Sequence, residues 1–289
     1  MATTPPCTAS ARPQRAIQVL LGHLAPAPVE FRVQLPDGAE QSWTGGKVWP
    51  SGLALADWLA HQLPSSFMVG AKVLELGCGV APLASAIAAL RGAASVEATD
   101  GSWRAVQIAS RNLYESVRSA SASLPSRCHV SSLQWESVHN LRRGGAYNLI
   151  LFADCVYTEK AAAVLASCID HCLATAADSR GVYGIIPDVR VGASDFCREM
   201  QRRDFIAERL DLGPSANADN VAVVGFENCT KEDALQEGSC TLIRWRRRTQ
   251  ALAVVDDGCH LIQHFDRALA DAELVVQDRL RLAGYVLTE

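Results

Sequence analysis

No apolar run in the chain approaches the ~20 residues that a helix needs to cross a bilayer, so the sequence offers no membrane span. The ten cysteines include no C-x-x-C pair, which removes the commonest zinc and dithiol signatures. Cys78, Cys155, Cys168 and Cys172 stand in apolar settings, the pattern of buried free thiols in a reducing compartment such as the cytoplasm. Cys168, His171 and Cys172 fall within about one helical turn and could imitate part of a metal site, but no second cluster completes it. Excess positive charge is missing too. A formal net charge of −4 argues against nucleic-acid affinity through charge alone.

Acidic residues are absent from the first 29 positions, Glu30 being the first. Pro5, Pro6, Pro13, Pro26 and Pro28 frame a stretch with Ile17, Leu20, Leu21 and Leu24 at helical spacing beside Arg12 and Arg15. Such a start has the composition of a mitochondrial transit peptide. Two arginines are few for that purpose, and residues 1–29 read better as a flexible tail with a short docking helix. What is present is ordinary for a soluble globular protein: 289 residues, 49% hydrophobic and 20% charged, enough to bury a full core.

The chain is organised around residues 72–100. Val73, Leu74 and Leu76 form a short apolar strand that runs into Gly77-Cys78-Gly79. Pro82 opens an alanine-rich helix carrying Leu83, Ile87 and Leu90, and a second strand ends in Asp100. This is a β-α-β unit with a glycine turn after its first strand and a carboxylate after its second. Glycine lets the backbone approach a ligand with no Cβ in the way, and the helix start supplies unpaired N–H donors. Asp100 lies 21 residues after Gly79 and can accept hydrogen bonds from two ribose hydroxyls. A dinucleotide turn would read G-x-G-x-x-G, but here the run is G-C-G-V-A-P and the third glycine is missing. Glu75, two residues before Gly77, would repel a pyrophosphate and suit a cationic ligand.

On either side the pattern alternates. Residues 31–35 read as a strand closed by the turn Pro36-Asp37-Gly38, and a second strand-like run leads to Trp43 and Gly45-Gly46. Leu55, Leu59 and Leu63 mark a helix that starts at Pro50, with Trp49 at its entrance. After Asp100 the sequence predicts a helix over 102–118, a strand over 129–133 followed by Trp135, and a fully apolar strand over 147–152. Helix 159–176, strand 182–187, helix 193–203, strand 205–211, an irregular 212–238 and a last strand over 241–245 follow. The expectation is an α/β fold, a mostly parallel sheet with helices on both faces and ligand chemistry at the carboxyl ends of the strands.

E-L-G-C-G followed by an acid after the second strand resembles the S-adenosylmethionine-dependent methyltransferases. With G-G-x-V-W-P before the first core helix, L-x-W at 133–135, A-D-x-x-Y at 153–157 and Arg190 after the fifth strand, residues 30–247 resemble the seven-β-strand lysine methyltransferase group called methyltransferase family 16. The resemblance implies a Rossmann-like seven-stranded sheet with additional N-terminal strands, occupying residues 30–249. It implies S-adenosylmethionine as cofactor and a lysine side chain of a protein as acceptor. Trp49 and Trp135 would contact the cofactor, Glu75, Gly77, Cys78 and Gly79 would surround its methionine end, Asp100 would take the ribose, and the Ala153 backbone would lie against the ligand. Asp154 and Tyr157 would serve the acceptor, the first orienting its ammonium and the second walling its channel.

Ala81-Pro82 departs from the glycine-bearing sequence common at that point. Residues 250–289 lie beyond the last expected strand and read as a helical appendage, with His260 and His264 as structural filling. A monomer acting on a protein substrate is expected. Three other functions stay open: methylation of a nucleic acid, for which Arg244, Arg246, Arg247 and Arg248 form a local basic patch, methylation of another protein side chain, and a cofactor-binding protein without catalysis. Against the first, the loop D-C-V-Y lacks the prolines of the base-stacking N/D-P-P-Y/F/W loop.

Overall fold

The computed structural model describes residues 14–19, 29–36, 43–120, 124–140, 144–175, 177–212, 221–224, 240–248, 262–268 and 270. The β-strands are β1 (Gln14–Val19), β2 (Val29–Gln34), β3 (Lys72–Leu76), β4 (Ser95–Asp100), β5 (Cys128–Ser132), β6 (Leu149–Ala153), β7 (Gly181–Pro187), β8 (Phe205–Leu210), β9 (Val221–Val224) and β10 (Cys240–Arg247). The helices are α1 (Pro50–His61), α2 (Ser65–Met68), α3 (Leu83–Leu90), α4 (Trp103–Ala120), α5 (Glu159–Cys172) and α6 (Ala193–Arg202). Seven strands form one sheet in the order β5-β4-β3-β6-β7-β10-β8. Within it β10 runs antiparallel to both its neighbours, and the β5-β4-β3-β6-β7 ladders are parallel.

The central strands have no polar face because both faces are covered. Val73, Leu149, Leu151, Tyr183 and Ile185 point into one apolar cluster with Leu55 and Leu59 of α1, Ile87 of α3 and Leu113 of α4. Leu74, Leu76, Ile150, Phe152, Val182 and Ile186, one residue out of phase, point into a second with Leu165 and Ile169 of α5 and Phe196 and Met200 of α6. That period of two sets the register of the sheet. Gly184 makes room in the second cluster: a Cβ there would lie 2.1 Å from the Phe152 ring, which stacks on Trp245 at 5.6 Å.

The order of strand addition reverses between β3 and β6, which stay parallel: β4 and β5 follow outward from β3, whereas β6 and β7 lie on its other side. In open α/β sheets ligands bind at that switch point, beyond the carboxyl ends of the strands. The glycine turn follows β3 and Ala153–Asp154 ends β6, so the candidate motifs meet there by topology.

Several sequence expectations change. The helical spacing around Ile17 does not make a docking helix: Gln14–Val19 is a strand paired antiparallel with β2 and β9, so tertiary pairing overrides the local pattern. The same sheet places a strand, Val221–Val224, inside the stretch expected to be irregular. Pro82 lies just outside α3 instead of opening it, and α5 ends at Cys172. Asn112 of α4 ties the small sheet to the glycine turn: its amide donates to the carbonyls of Gln34 and Val80 at 3.0 and 2.7 Å and its oxygen accepts from the Gln34 N–H at 2.8 Å.

Of the 250–289 appendage, a helical segment over 262–268 is described. Phe265 is fully buried in the second cluster, and His264 meets Asp188 at 3.3 Å, a carboxylate that also accepts from the Thr241 hydroxyl at 2.6 Å. This segment packs on the second apolar cluster of the seven-stranded sheet. His260 and the turn at Asp37-Gly38 lie outside the described residues. Cys168 and Cys172 are buried core thiols, the Cys168 thiol pushed far up by its hydrogen bond to Cys172 and by burial. Among the described residues no group of three or more side chains is arranged to hold a metal, and no helix is long and apolar enough to cross a membrane.

Candidate active site

A cavity of about 610 Å³ opens at the switch point, and every site residue expected from the sequence lines it: Trp49, Glu75, Gly77, Cys78, Gly79, Asp100, Trp135, Ala153, Asp154 and Tyr157. Its floor is the turn after β3. Gly77 and Gly79 have φ of 68° and 56°, the left-handed region that glycine enters at no steric cost. Space matters as much as φ. A Cβ on Gly77 would lie 2.6 Å from Cys155 Sγ, and one on Gly79 would lie 3.1 Å from the Gly45 carbonyl oxygen. The turn is roofed by the 43–49 segment through the Val80 N–H, which donates to the Gly45 carbonyl at 2.9 Å.

Asp100 closes the turn from the neighbouring strand. Its carboxylate accepts from the Gly79 N–H at 2.9 Å and from the Ser102 N–H at 2.8 Å, leaving lone pairs for two hydroxyls of a ligand. Burial raises its pKa, and these two hydrogen bonds oppose the rise. Glu75 lies deeper. Its carboxylate accepts from the Ser85 N–H at 2.8 Å, and burial pushes its pKa from 4.5 to about 7 despite Ser85.

That shift has a stability consequence of definite sign. A raised carboxylate pKa means that, between 4.5 and about 7, the folded protein holds a proton that the unfolded chain has released. Stability therefore falls as pH rises through that window, by ~3 kcal/mol at most for a shift of this size. Glu75→Gln keeps an acceptor for Ser85 and removes the titration, so its melting temperature should decline less than the parent's between these pH values. Equal declines in thermal melts of the ligand-free proteins would assign the effect elsewhere.

The walls are aromatic on two sides. Trp49 precedes α1, its indole N–H donating to the Thr44 carbonyl at 2.9 Å. Trp135 opens the 3-10 turn Trp135–Asn140 after β5, and its ring lies 3.5 Å from where a Gly77 Cβ would be. Trp135→Phe should therefore keep much of the contact to a bound ligand and Trp135→Ala little. If both bind ligand as well as the parent in a calorimetric titration, the ring is packing only.

The two residues expected to serve an acceptor follow β6. Tyr157 is 49% exposed, so it belongs to the cavity mouth and not to the core. Asp154 does not cap α5; Thr158 does, its hydroxyl accepting from the Ala161 N–H at 3.1 Å. The Asp154 carboxylate is instead held by both arms of Arg190, at 2.6 and 2.5 Å, and is not the unpartnered carboxylate that an ammonium-orienting role suggests. Cys155 fills the space beneath Gly77, its thiol donating to the Leu76 carbonyl at 3.2 Å and pushed well up by burial. Trp43, Gln134 and Lys160 also line the cavity without having been singled out in the sequence. Gln134, beside Trp135 and donating to the Gly101 carbonyl at 2.7 Å, could have been found from its place after β5. Trp43 and Lys160 carry no local signal.

Taken together, the cavity offers a buried acid, Glu75, a half-buried one, Asp100, a glycine cradle that any side chain would fill, and aromatic walls. These suit a nucleoside that carries positive charge. Against known proteins, residues 33–203 match the model of a family described as lysine methyltransferase. Over 140 residues the chain is 29% identical to protein N-lysine methyltransferase METTL21A of Danio rerio, covering 48% of this chain and 61% of that protein. Among solved structures, SMU.776 complexed with SAH is 12% identical with a TM-score of 0.49 over 75% of this chain and 53% of that one. Geranyl diphosphate C-methyltransferase from Streptomyces coelicolor A3(2) is 15% identical with a TM-score of 0.44 over 68% and 77%. The chain thus spans less than two thirds of the length of the first two, and the structural matches carry no part of the assignment. The family match, which takes in more than half of the chain and runs from β2 to the end of α6, does carry it: the chain belongs to the lysine methyltransferase family.

Proposed function

We propose that this protein is an S-adenosylmethionine-dependent protein-lysine N-methyltransferase. The observation that carries the reading is the convergence, in one cavity at the switch point, of the glycine cradle, the Asp100 clamp and the Asp154–Tyr157 pair. The family match adds the acceptor class.

S-adenosylmethionine, when bound, supplies a methyl group on a sulfonium that leaves as a neutral thioether. The chain's own residues hold it and present the acceptor. Asp100 takes the ribose hydroxyls on the lone pairs that Gly79 and Ser102 leave open. Glu75, Gly77, Cys78 and Gly79 surround the methionine end, where a bound cation would lower the raised Glu75 pKa and hold its carboxylate charged. Trp49, Trp135 and the Ala153 backbone wall the ligand and exclude water, which in a displacement of this kind is worth more than any added driving force.

The acceptor lysine must lose a proton before its lone pair can form the new N–C bond. From a reference pKa of ~10.4 that costs roughly 4–5 kcal/mol at neutral pH. Asp154 accepts a hydrogen bond from the amine and steers its last proton outward, while the exposed Tyr157 ring faces the cation on its way in. Among the described residues the cysteines are free and mostly buried, which suits a reducing compartment, and we place the protein in the cytoplasm as a monomer.

The nucleic-acid alternative loses its main support in the basic patch. Arg244 and Arg246 share Glu208 at 3.8 and 3.7 Å, and Arg247 holds Asp170 at 2.6 Å. The test is incubation of the full chain with methyl-labelled S-adenosylmethionine and either total cell protein or total RNA. Label in a protein band is expected. Label in RNA alone would overturn the reading, and label in neither would leave a binding protein.

A further inference from the structure

Asp154 is held more elaborately than contact with an acceptor requires. Its φ is 52°, a left-handed conformation that costs a non-glycine residue energy and persists only where the surroundings enforce it. The backbone N–H donates to the Ile185 carbonyl of β7 at 2.9 Å. The carboxylate, 3% exposed, is gripped by Nε and a terminal nitrogen of Arg190. Arg190 sits in the turn that follows β7, its N–H donating to the Pro187 carbonyl at 3.1 Å and its carbonyl accepting from the Ala193 N–H at 3.0 Å. Its guanidinium lies 5.8 Å from the centre of the Trp49 ring. One cation thereby joins the end of β6, the turn after β7 and the entrance of α1. Asp154 and Trp49 line the cavity; Arg190 is not among its lining residues.

A bidentate guanidinium fixes both the position and the plane of a carboxylate. Two of the carboxylate's roughly four lone-pair sites remain. We propose that Arg190 is the positioning residue of the acceptor half of the site: without touching substrate, it keeps Asp154 ionised and locked in the one orientation whose remaining lone pairs meet the incoming amine. This rests on the reading that Asp154 serves the acceptor. The ionisation argument has a direction. Burial raises the Asp154 pKa, and the hydrogen bonds and charge of Arg190 lower it. Arg190 offsets burial only in part, so the Asp154 pKa stays raised; without the guanidinium nothing opposes burial, and the carboxyl takes up its proton at a higher pH still.

The experiment compares the parent with Arg190→Gln and Arg190→Lys, each as the full chain. Carbon NMR of aspartate-labelled protein follows the Asp154 carboxyl, assigned by Asp154→Asn, and turnover with S-adenosylmethionine and labelled cell protein is measured across pH. Arg190→Gln should move the Asp154 titration and the acid limb of turnover upward together, by a pH unit or more, which is a tenfold or larger loss on that limb. Arg190→Lys should restore the titration in part but not the full rate, since it keeps the charge and loses the fork. In an Asp154→Asn background Arg190→Gln should change turnover less than about twofold. An unmoved titration would overturn the proposal, and so would a moved titration with an unshifted turnover profile, which would make the pair purely structural. If Arg190→Gln fails to fold, Arg190→Lys carries the same decision through its rate deficit and partial titration shift. A parent that methylates nothing would sink the methyltransferase reading and the acceptor role with it, while the NMR titration would still report the pair.

Discussion

Replacing Asp100 by alanine is expected to weaken S-adenosylmethionine binding by about 1.5–3 kcal/mol, the range for hydrogen bonds to a charged acceptor, or roughly ten- to a hundredfold in Kd. Two losses combine. The ribose hydroxyls lose their acceptor, and the Gly79 and Ser102 N–H groups lose theirs, which releases the turn that forms the cavity floor. The fold itself should survive. Burial already disfavours the charged form of Asp100, and the β3–β4 ladder does not use its side chain. Asp100→Asn should fall between, because the amide oxygen can still accept from one of the two backbone donors. Calorimetric titration, with circular dichroism as the check on folding, reads all three proteins. Unchanged affinity in the alanine variant would remove Asp100 from the site.

Asp154→Asn should do the opposite, sparing binding and lowering turnover. Asp154 follows β6 and lines the cavity with Tyr157, and in the role proposed for it the carboxylate acts on the acceptor more than on the cofactor. Interactions realised mainly in the transition state lower turnover without loosening the ground state. The amide keeps the shape and leaves the Arg190 guanidinium facing a neutral group. Methyl transfer should drop at least about tenfold, equivalent to ~1.4 kcal/mol, with S-adenosylmethionine affinity nearly intact. Tyr157→Phe should cost less because the ring persists. Single-turnover rates measured beside the titrations decide the matter: an Asp154→Asn protein that methylates as fast as the parent would reduce the Asp154–Arg190 pair to a structural clamp.

Local sequence was a sufficient guide wherever function demanded a particular backbone or charge at a particular place. Gly77 and Gly79 were legible because only glycine tolerates both their φ and the approach of Cys155 and Gly45. Asp100 was legible because it ends the strand after the glycine turn and its helix, and Asp154 because it follows a fully apolar strand; the alternation of strands and helices put both in one parallel sheet. Contacts made by the assembled sheet were not legible. Arg190 reaches Asp154 across 36 residues, and only the adjacency of β6 and β7 brings them together. The strand at Gln14–Val19 escaped notice for the same reason: its partners, β2 and β9, are set by pairing and not by its own spacing. Trp43 reached the cavity through the Gly45–Val80 hydrogen bond that roofs the glycine turn, a link no periodicity announces.

In the proposed reaction methyl groups pass from S-adenosylmethionine to a lysine amine through this cavity. Its most direct test is peptide mass spectrometry on cell protein incubated with methyl-labelled S-adenosylmethionine and either the parent chain or Asp100→Ala. Label is expected on lysine Nζ of a small number of proteins with the parent, and a large reduction with the variant at limiting cofactor. Label confined to another residue type, or equal labelling by the two proteins, would contradict it.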